Sequence, residues 1–276
     1  MSALGDPADR QGQMVQVNGA SIFVQQSGQG EPMLLIHGYP LSGALFSRVR
    51  DGLAAHYQVI TIDQRGYGKS TAPGVPNTIA TYAQDALSVL DQLGVKQAII
   101  GGHSMGGPVT LDMYQRAPDR FRGMILIDTI AARASAIEAG FWNGFVAYVQ
   151  QNGMDQMYYA NLLKNMLTGK TRMEQPEQVT YLTEVMKAAS KEAAIGGAQA
   201  LATRPDATAT LGKINVPTLV FVGLDDPLYP FEIAKMMNEA IPNSTLAIIP
   251  GGAHAAIFEV PDASTQAILN WASGMQ

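Results

Sequence analysis

The chain contains no cysteine. That absence excludes a disulfide framework, thiolate ligation of a metal and catalysis by a thiol. There is no run of lysine and arginine either: charged residues make up 15% of the chain and the net charge is −5. Without a basic footprint, neither a nucleic acid nor an anionic membrane is expected as a partner. No apolar stretch approaches the length of a membrane span, and the opening MSALGDPADRQGQ is polar, without the apolar centre of a leader. The expectation is a soluble, cytoplasmic protein. No His, Asp and Glu residues fall at metal-ligand spacing, so no metal is expected. RGYGKS (65–70) ends like a phosphate-binding loop, but the first glycine of that pattern would fall at Asp63. Asp63, Arg65, Gly66 and Gly68 read instead as a structural turn, and no cofactor is expected.

Short apolar runs alternate with longer amphipathic ones over most of the 276 residues. Residues 14–27 read as a hairpin with Asn18-Gly19 at its turn. Strands are expected at 32–38, 57–63, 97–103, 123–128, 217–223 and 245–250, and helices at 42–54, 78–93, 105–117, 230–240 and 262–272. Continuous apolar strands separated by helices predict an α/β fold with a mostly parallel sheet covered on both faces. The alternation stops near residue 130 and resumes near 214. The chain therefore divides into a flexible tail (1–13), a core domain (14–130 and 214–276) and an inserted helical cap (131–213). The cap is rich in aromatic and methionine side chains. Most of these read as its own core, and Phe141, Trp142, Phe145 and Tyr158 are the candidates to line a substrate pocket.

One stretch, IIGGHSMGG (99–107), puts a serine among four glycines where a strand runs into a helix. In Gly102-His103-Ser104-Met105-Gly106 the serine sits on a sharp turn that lifts its hydroxyl above the sheet, and the flanking glycines avoid a clash. The helix that follows offers unpaired N–H groups. Such a hydroxyl needs a base, and the chain has four histidines. His103 adjoins the serine and would point away from it, His56 lies in a polar link, and His37 reads as a loop organiser. His254, in a glycine-rich loop past the last strand, is left as the base. An orienting carboxylate could come from Asp226, Asp225 or Asp128, each of which follows a strand; Asp226 is preferred.

LLIHGYP (34–40), VITIDQRGYGKS (59–70), IIGGHSMGG (99–107), TLVFVGLDDPLYP (218–230) and GGAHAAIFEVP (251–261) occur in an order and spacing that resemble the α/β-hydrolase fold superfamily. The resemblance covers residues 14–274 apart from the cap. It implies that the acid is the third residue after the strand-terminal glycine, which is Asp226. It also implies an oxyanion hole from the backbone N–H groups of Tyr39 and Met105. HGYPLSG (37–43) is similar to members described as carboxylesterases, lactonases and cofactor-free haloperoxidases or perhydrolases. The expected activity is hydrolysis of small-to-medium apolar esters or lactones through an acyl-enzyme on Ser104, with Asp226 and His254 completing the catalytic set. C–C hydrolases and hydroxynitrile lyases of the same fold share that set and are the alternative.

Overall fold

The computed structural model describes residues 4–72 and 77–275. Its centre is an eight-stranded sheet: β1 (Gln13–Val17), β2 (Ala20–Ser27), β3 (Pro32–Ile36), β4 (Gln58–Ile62), β5 (Ala98–His103), β6 (Phe121–Ile127), β7 (Thr218–Gly223) and β8 (Ser244–Ile249). The spatial order is β1-β2-β4-β3-β5-β6-β7-β8. β1, β2 and β4 pair antiparallel and all later pairs are parallel. The hairpin turns at Asn18 and Gly19, both with positive φ, which matches the twist of the flanking strands. The inner strands are apolar on both faces: Leu34, Leu35, Ile36, Ile99 and Ile100 have no exposed surface.

Helices cover the sheet: α1 (Ser47–Ala54), α2 (Ile79–Gln92) and α3 (Gly106–Arg116) join the first strands, and six more separate β6 from β7. These six are α4 (Ala136–Asn152), α5 (Gln156–Met166), α6 (Gly169–Glu174), α7 (Pro176–Lys187), α8 (Lys191–Ala202) and α9 (Thr208–Leu211). The last three are α10 (Phe231–Ala240), α11 (Ala256–Glu259) and α12 (Pro261–Ser273). α1 packs on α12, α2 on α3, and α4 on α8. From β3 the chain steps to β4 on one side and then returns to β5 on the other. The loops leaving β3 and β5 therefore diverge over a crevice at the carboxyl ends of the strands, where open parallel sheets hold their ligands.

Two local expectations differ from the structure. The helix expected over 42–54 is split into a short 3₁₀ turn, Gly43–Phe46, and α1, because the Ser42 side chain caps the turn by accepting from the Ala44 N–H. Within the stretch read as a flexible tail, residues 1–3 lie outside the described residues, but Arg10 is buried. Its guanidinium makes two bonds, of 2.8 and 2.6 Å, to Asp63. Asp63 also accepts from the Gly43 and Lys69 N–H groups, so the turn is an anchoring point for the chain before β1. The polar composition of residues 1–13 hides this, because Arg10 has its partner 53 positions away.

Candidate active site

β5 is buried along its whole length and delivers Ser104 just past its end, with φ at 52°. That left-handed conformation is costly for a residue with a side chain and persists only where the surroundings impose it. Here they do. The Ser104 N–H donates to the Ile127 carbonyl (2.9 Å), and the Ser104 carbonyl accepts from the Thr129 hydroxyl (2.6 Å) and the Gly107 N–H (2.9 Å). The glycines leave no room for alternatives. A Cβ on Gly102 would lie 2.0 Å from the Gly106 oxygen, and one on Gly106 would lie 2.4 Å from the Ile36 oxygen.

His254 and Asp226 meet the serine from loops after β8 and β7. Ser104 Oγ stands 2.9 Å from His254 Nε2, and His254 Nδ1 stands 2.9 Å from Asp226 Oδ2. A carboxylate oxygen only accepts, so Nδ1 carries the proton and Nε2 is free to accept the serine's. Asp226 Oδ1 accepts from the N–H groups of Leu228 (2.8 Å) and Tyr229 (3.1 Å). Burial alone would raise this carboxyl. The charge and hydrogen bond of His254, with the two amide donors, outweigh burial and hold it below the ordinary carboxylate range.

The other acids stand elsewhere. Asp225 is exposed. Asp128 is fully buried, with φ at 45° and Oδ1 accepting from the Gly223 N–H at 2.7 Å. Burial, and then the charge of Asp226, push its pKa well above the usual range. His37 organises its loop: Nδ1 donates to the Gly38 carbonyl (2.8 Å) and Nε2 accepts from the Gln64 N–H (2.9 Å). Burial holds it neutral, with its pKa lowered to about 4. His103 points away from Ser104 and donates through Nε2 to the His254 carbonyl (2.7 Å); burial lowers its pKa to about 3. His56 is exposed.

Tyr39 and Met105 flank the serine on the β3 and α3 sides and are buried, and the Tyr39–Pro40 peptide bond is cis. Neither N–H donates to a loop or turn carbonyl among the described residues. The Tyr39 ring stands edge-on to Trp142, with centroids 5.3 Å apart, and its hydroxyl bonds that of Tyr158 at 2.8 Å. Phe145 joins Tyr158 and Trp142, and Phe141 ends this aromatic chain half exposed. Ser104 itself is 7% exposed. Two clefts of about 630 and 650 Å³ open elsewhere, one between Arg10, Arg48 and Tyr181 and one between His56, Tyr57 and Arg122; neither is lined by Ser104, Asp226 or His254.

Three residues that shape the site carry no sequence signal. Thr129 pins the serine turn, Tyr229 stands edge-on to the His254 ring (centroids 5.5 Å), and Glu259 binds the Ala253 N–H. Tyr229 also lies 3.5 Å, through its hydroxyl, from Glu138, which pairs with the buried Arg204. Thr129 has its partner 25 positions away and Glu259 has a second one, Thr168, 91 positions away, so no local pattern marks them.

In fold and sequence the chain is similar to known hydrolases. A thermophilic esterase from Thermogutta terrifontis, solved with malate bound, superposes with a TM-score of 0.90 and 29% identity, covering 96% of this chain and 97% of that one. The AB hydrolase superfamily protein YisY of Bacillus subtilis (strain 168) is 29% identical over 244 residues, 87% of this chain and 90% of its own length. A putative non-heme chloroperoxidase of Synechocystis sp. (strain ATCC 27184 / PCC 6803 / Kazusa) is 28% identical over 265 residues, 91% and 94% of the two chains. The profile of the alpha/beta hydrolase fold matches residues 31–261, and the chain belongs to that family of hydrolases.

Proposed function

We propose that the protein is a serine hydrolase that cleaves carboxylic esters, lactones included, of small-to-medium apolar acyl groups. The observation that carries this reading is the unbroken hydrogen-bond chain from Ser104 Oγ through His254 to Asp226, both links 2.9 Å long. His254 Nε2 takes the hydroxyl proton as Ser104 Oγ attacks the acyl carbon. The tetrahedral oxyanion is received by the Tyr39 and Met105 N–H groups, each worth about 3 kcal/mol in such sites. The bond to the leaving oxygen breaks and His254 returns the proton to it. For an open-chain ester an alcohol departs; for a lactone the new hydroxyl stays on the acyl group. Water then enters, gives a proton to His254 Nε2 and attacks the acyl carbon, and the bond to Ser104 breaks with the proton restored to Oγ. Asp226 holds the productive tautomer and offsets the imidazolium charge.

In this reading residues 131–213 are a cap over the site. Trp142, Phe145 and Tyr158 form the apolar wall for the acyl group, and Phe141 stands at its mouth. The esterase of Thermogutta terrifontis supports an ester as substrate. The Synechocystis relative, named for chloroperoxidase activity, favours a second reading in which hydrogen peroxide competes with water for the acyl-enzyme and a peracid leaves.

Proton release across a panel of acyl esters and lactones, with Ser104→Ala as the blank, tests the proposal. Turnover in the wild type that disappears in the variant supports it. Turnover that survives in a clean Ser104→Ala preparation removes Ser104 from the mechanism. A panel on which the folded wild type is inert removes the ester substrate and turns the search to C–C bonds and cyanohydrins.

A further inference from the structure

The loop that carries His254 has no regular structure of its own: residues 250–255 lie between β8 and α11, with Gly251 in the left-handed region. Its rigidity has to come from outside. From the sheet side, His103 donates to the His254 carbonyl. From the other side the loop is held by α5. The last carbonyls of a helix have no partner within it, and here the Asn165 carbonyl accepts from the His254 N–H (3.4 Å) and the Met166 carbonyl from the Ala255 N–H (2.9 Å). Glu259 closes the gap between the two elements. Its Oε2 accepts from the Ala253 N–H (2.8 Å), and its Oε1 accepts from both the N–H (2.8 Å) and the hydroxyl (2.6 Å) of Thr168. Glu259 is buried, and each of its oxygens serves one side of the joint. Hydrogen bonds to an ionised group are short and strong, so this bridge is stiff. Thr168 caps α6 by accepting from the Thr171 N–H, which fixes the far end.

We propose that Glu259 is a positioning residue: by tying Ala253 to Thr168 it holds the His254 loop against the end of α5, and so sets the imidazole for proton transfer with Ser104. This rests on the serine-hydrolase reading above. It makes the α5–α6 junction a structural part of the catalytic apparatus, although none of its side chains touches the reacting atoms.

The decisive variant is Glu259→Gln, whose amide N–H₂ must face one of three donors and cannot accept from it. The readout is the rate at which a fluorophosphonate probe labels Ser104, measured per folded molecule well below the melting temperature. That rate depends on the Ser104–His254 pair and not on knowing the natural substrate. Glu259→Gln is expected to label about 10- to 100-fold more slowly than wild type, the scale of loss for a misplaced catalytic group. On any ester the wild type turns over, kcat falls while KM holds. Thr168→Val, which lacks the hydroxyl donor, loses rate in the same direction, and Thr168→Ser, which keeps it, labels like the wild type. If Glu259→Gln does not fold, the Thr168 pair decides alone. Folded Glu259→Gln labelling at the wild-type rate, or Thr168→Val and Thr168→Ser labelling alike, overturns the proposal and leaves Glu259 with a purely stabilising role. A wild type that does not label at all overturns both this and the reading of Ser104. A wild type that labels but hydrolyses no ester overturns only the choice of substrate.

Discussion

Asp128 and Asp226 end neighbouring strands and feel each other's charge, yet their surroundings drive them apart. Asp226, facing His254 and two amide donors, is held below the ordinary carboxylate range; Asp128, fully enclosed, is pushed well above it. Environments that push two carboxyls apart in this way favour the charged form of one and the neutral form of the other. Asparagine mimics the neutral one and tolerates the left-handed backbone at this position. Asp128→Asn is therefore expected to leave kcat/KM close to wild type, whereas Asp226→Asn lowers it by about 10³- to 10⁴-fold through the wrong histidine tautomer. Steady-state kinetics on one ester decide between them, and the reverse pattern would make Asp128 the orienting acid. Before the family resemblance is considered, the sequence prefers Asp226 but keeps Asp128 as an alternative, because both residues follow an apolar strand. What separates them is their hydrogen-bond donors, and Leu228 N–H, Tyr229 N–H and Gly223 N–H are backbone groups that no side-chain pattern announces. Ser104 was easier to read, since its turn requires glycines within two residues on either side.

At the scale of the elements, strands buried on both faces are legible as continuous apolar runs, but their order is not, since β4 lies between β2 and β3 and β6 pairs with β7 across six helices. The packing of the helices between β6 and β7 is not legible in the same way. α4 reads AIEAGFWNGFVAYVQQN, with apolar or small residues on every side, and its burial of Trp142, Val146 and Val149 but not Ile137 or Phe141 is settled by α8. α8 in turn approaches through glycine. A Cβ on Gly197 would lie 2.0 Å from the Tyr67 hydroxyl oxygen and 2.8 Å from the Tyr39 ring. Gly197→Ala is thus expected to cost about 1–3 kcal/mol of stability, the usual cost of overpacking. It also lowers kcat if the Tyr39 N–H receives the oxyanion as proposed, because Tyr39 must shift. Urea titration and kinetics on the same preparation check the two effects together.

For the whole molecule, buried titratable groups set the response to pH. His37 and His103 have pKa values of about 4 and 3 in the folded state against 6.5 for the free side chain. Between those limits the unfolded chain binds two protons that the folded chain refuses, so stability falls as pH drops below about 6.5. Asp128 acts in the opposite sense: its raised pKa means the folded state keeps a proton that the unfolded state releases above 3.8, so it loses stability as pH rises. The urea midpoint is expected to decline as pH falls from about 6.5 toward 4, where the two histidines gain protons only in the unfolded chain. A midpoint that holds steady from pH 6.5 to 4.5 would mean that the two histidines are protonated in the folded protein.

The insertion of six helices between β6 and β7 also has a consequence in time. β6 ends at Ile127 and its neighbour β7 begins at Thr218. A ribosome adding about 5–20 residues per second needs on the order of 5–20 s to cross that interval. Throughout it, the growing chain holds six of the eight strands, and the outer edge of the last, apolar one lacks the partner that β7 will supply, the kind of edge to which other chains pair. His254 and Glu259 emerge later still. The nascent protein thus passes its most adhesive stage before it can assemble the site, and slowing translation across residues 128–217 prolongs that stage.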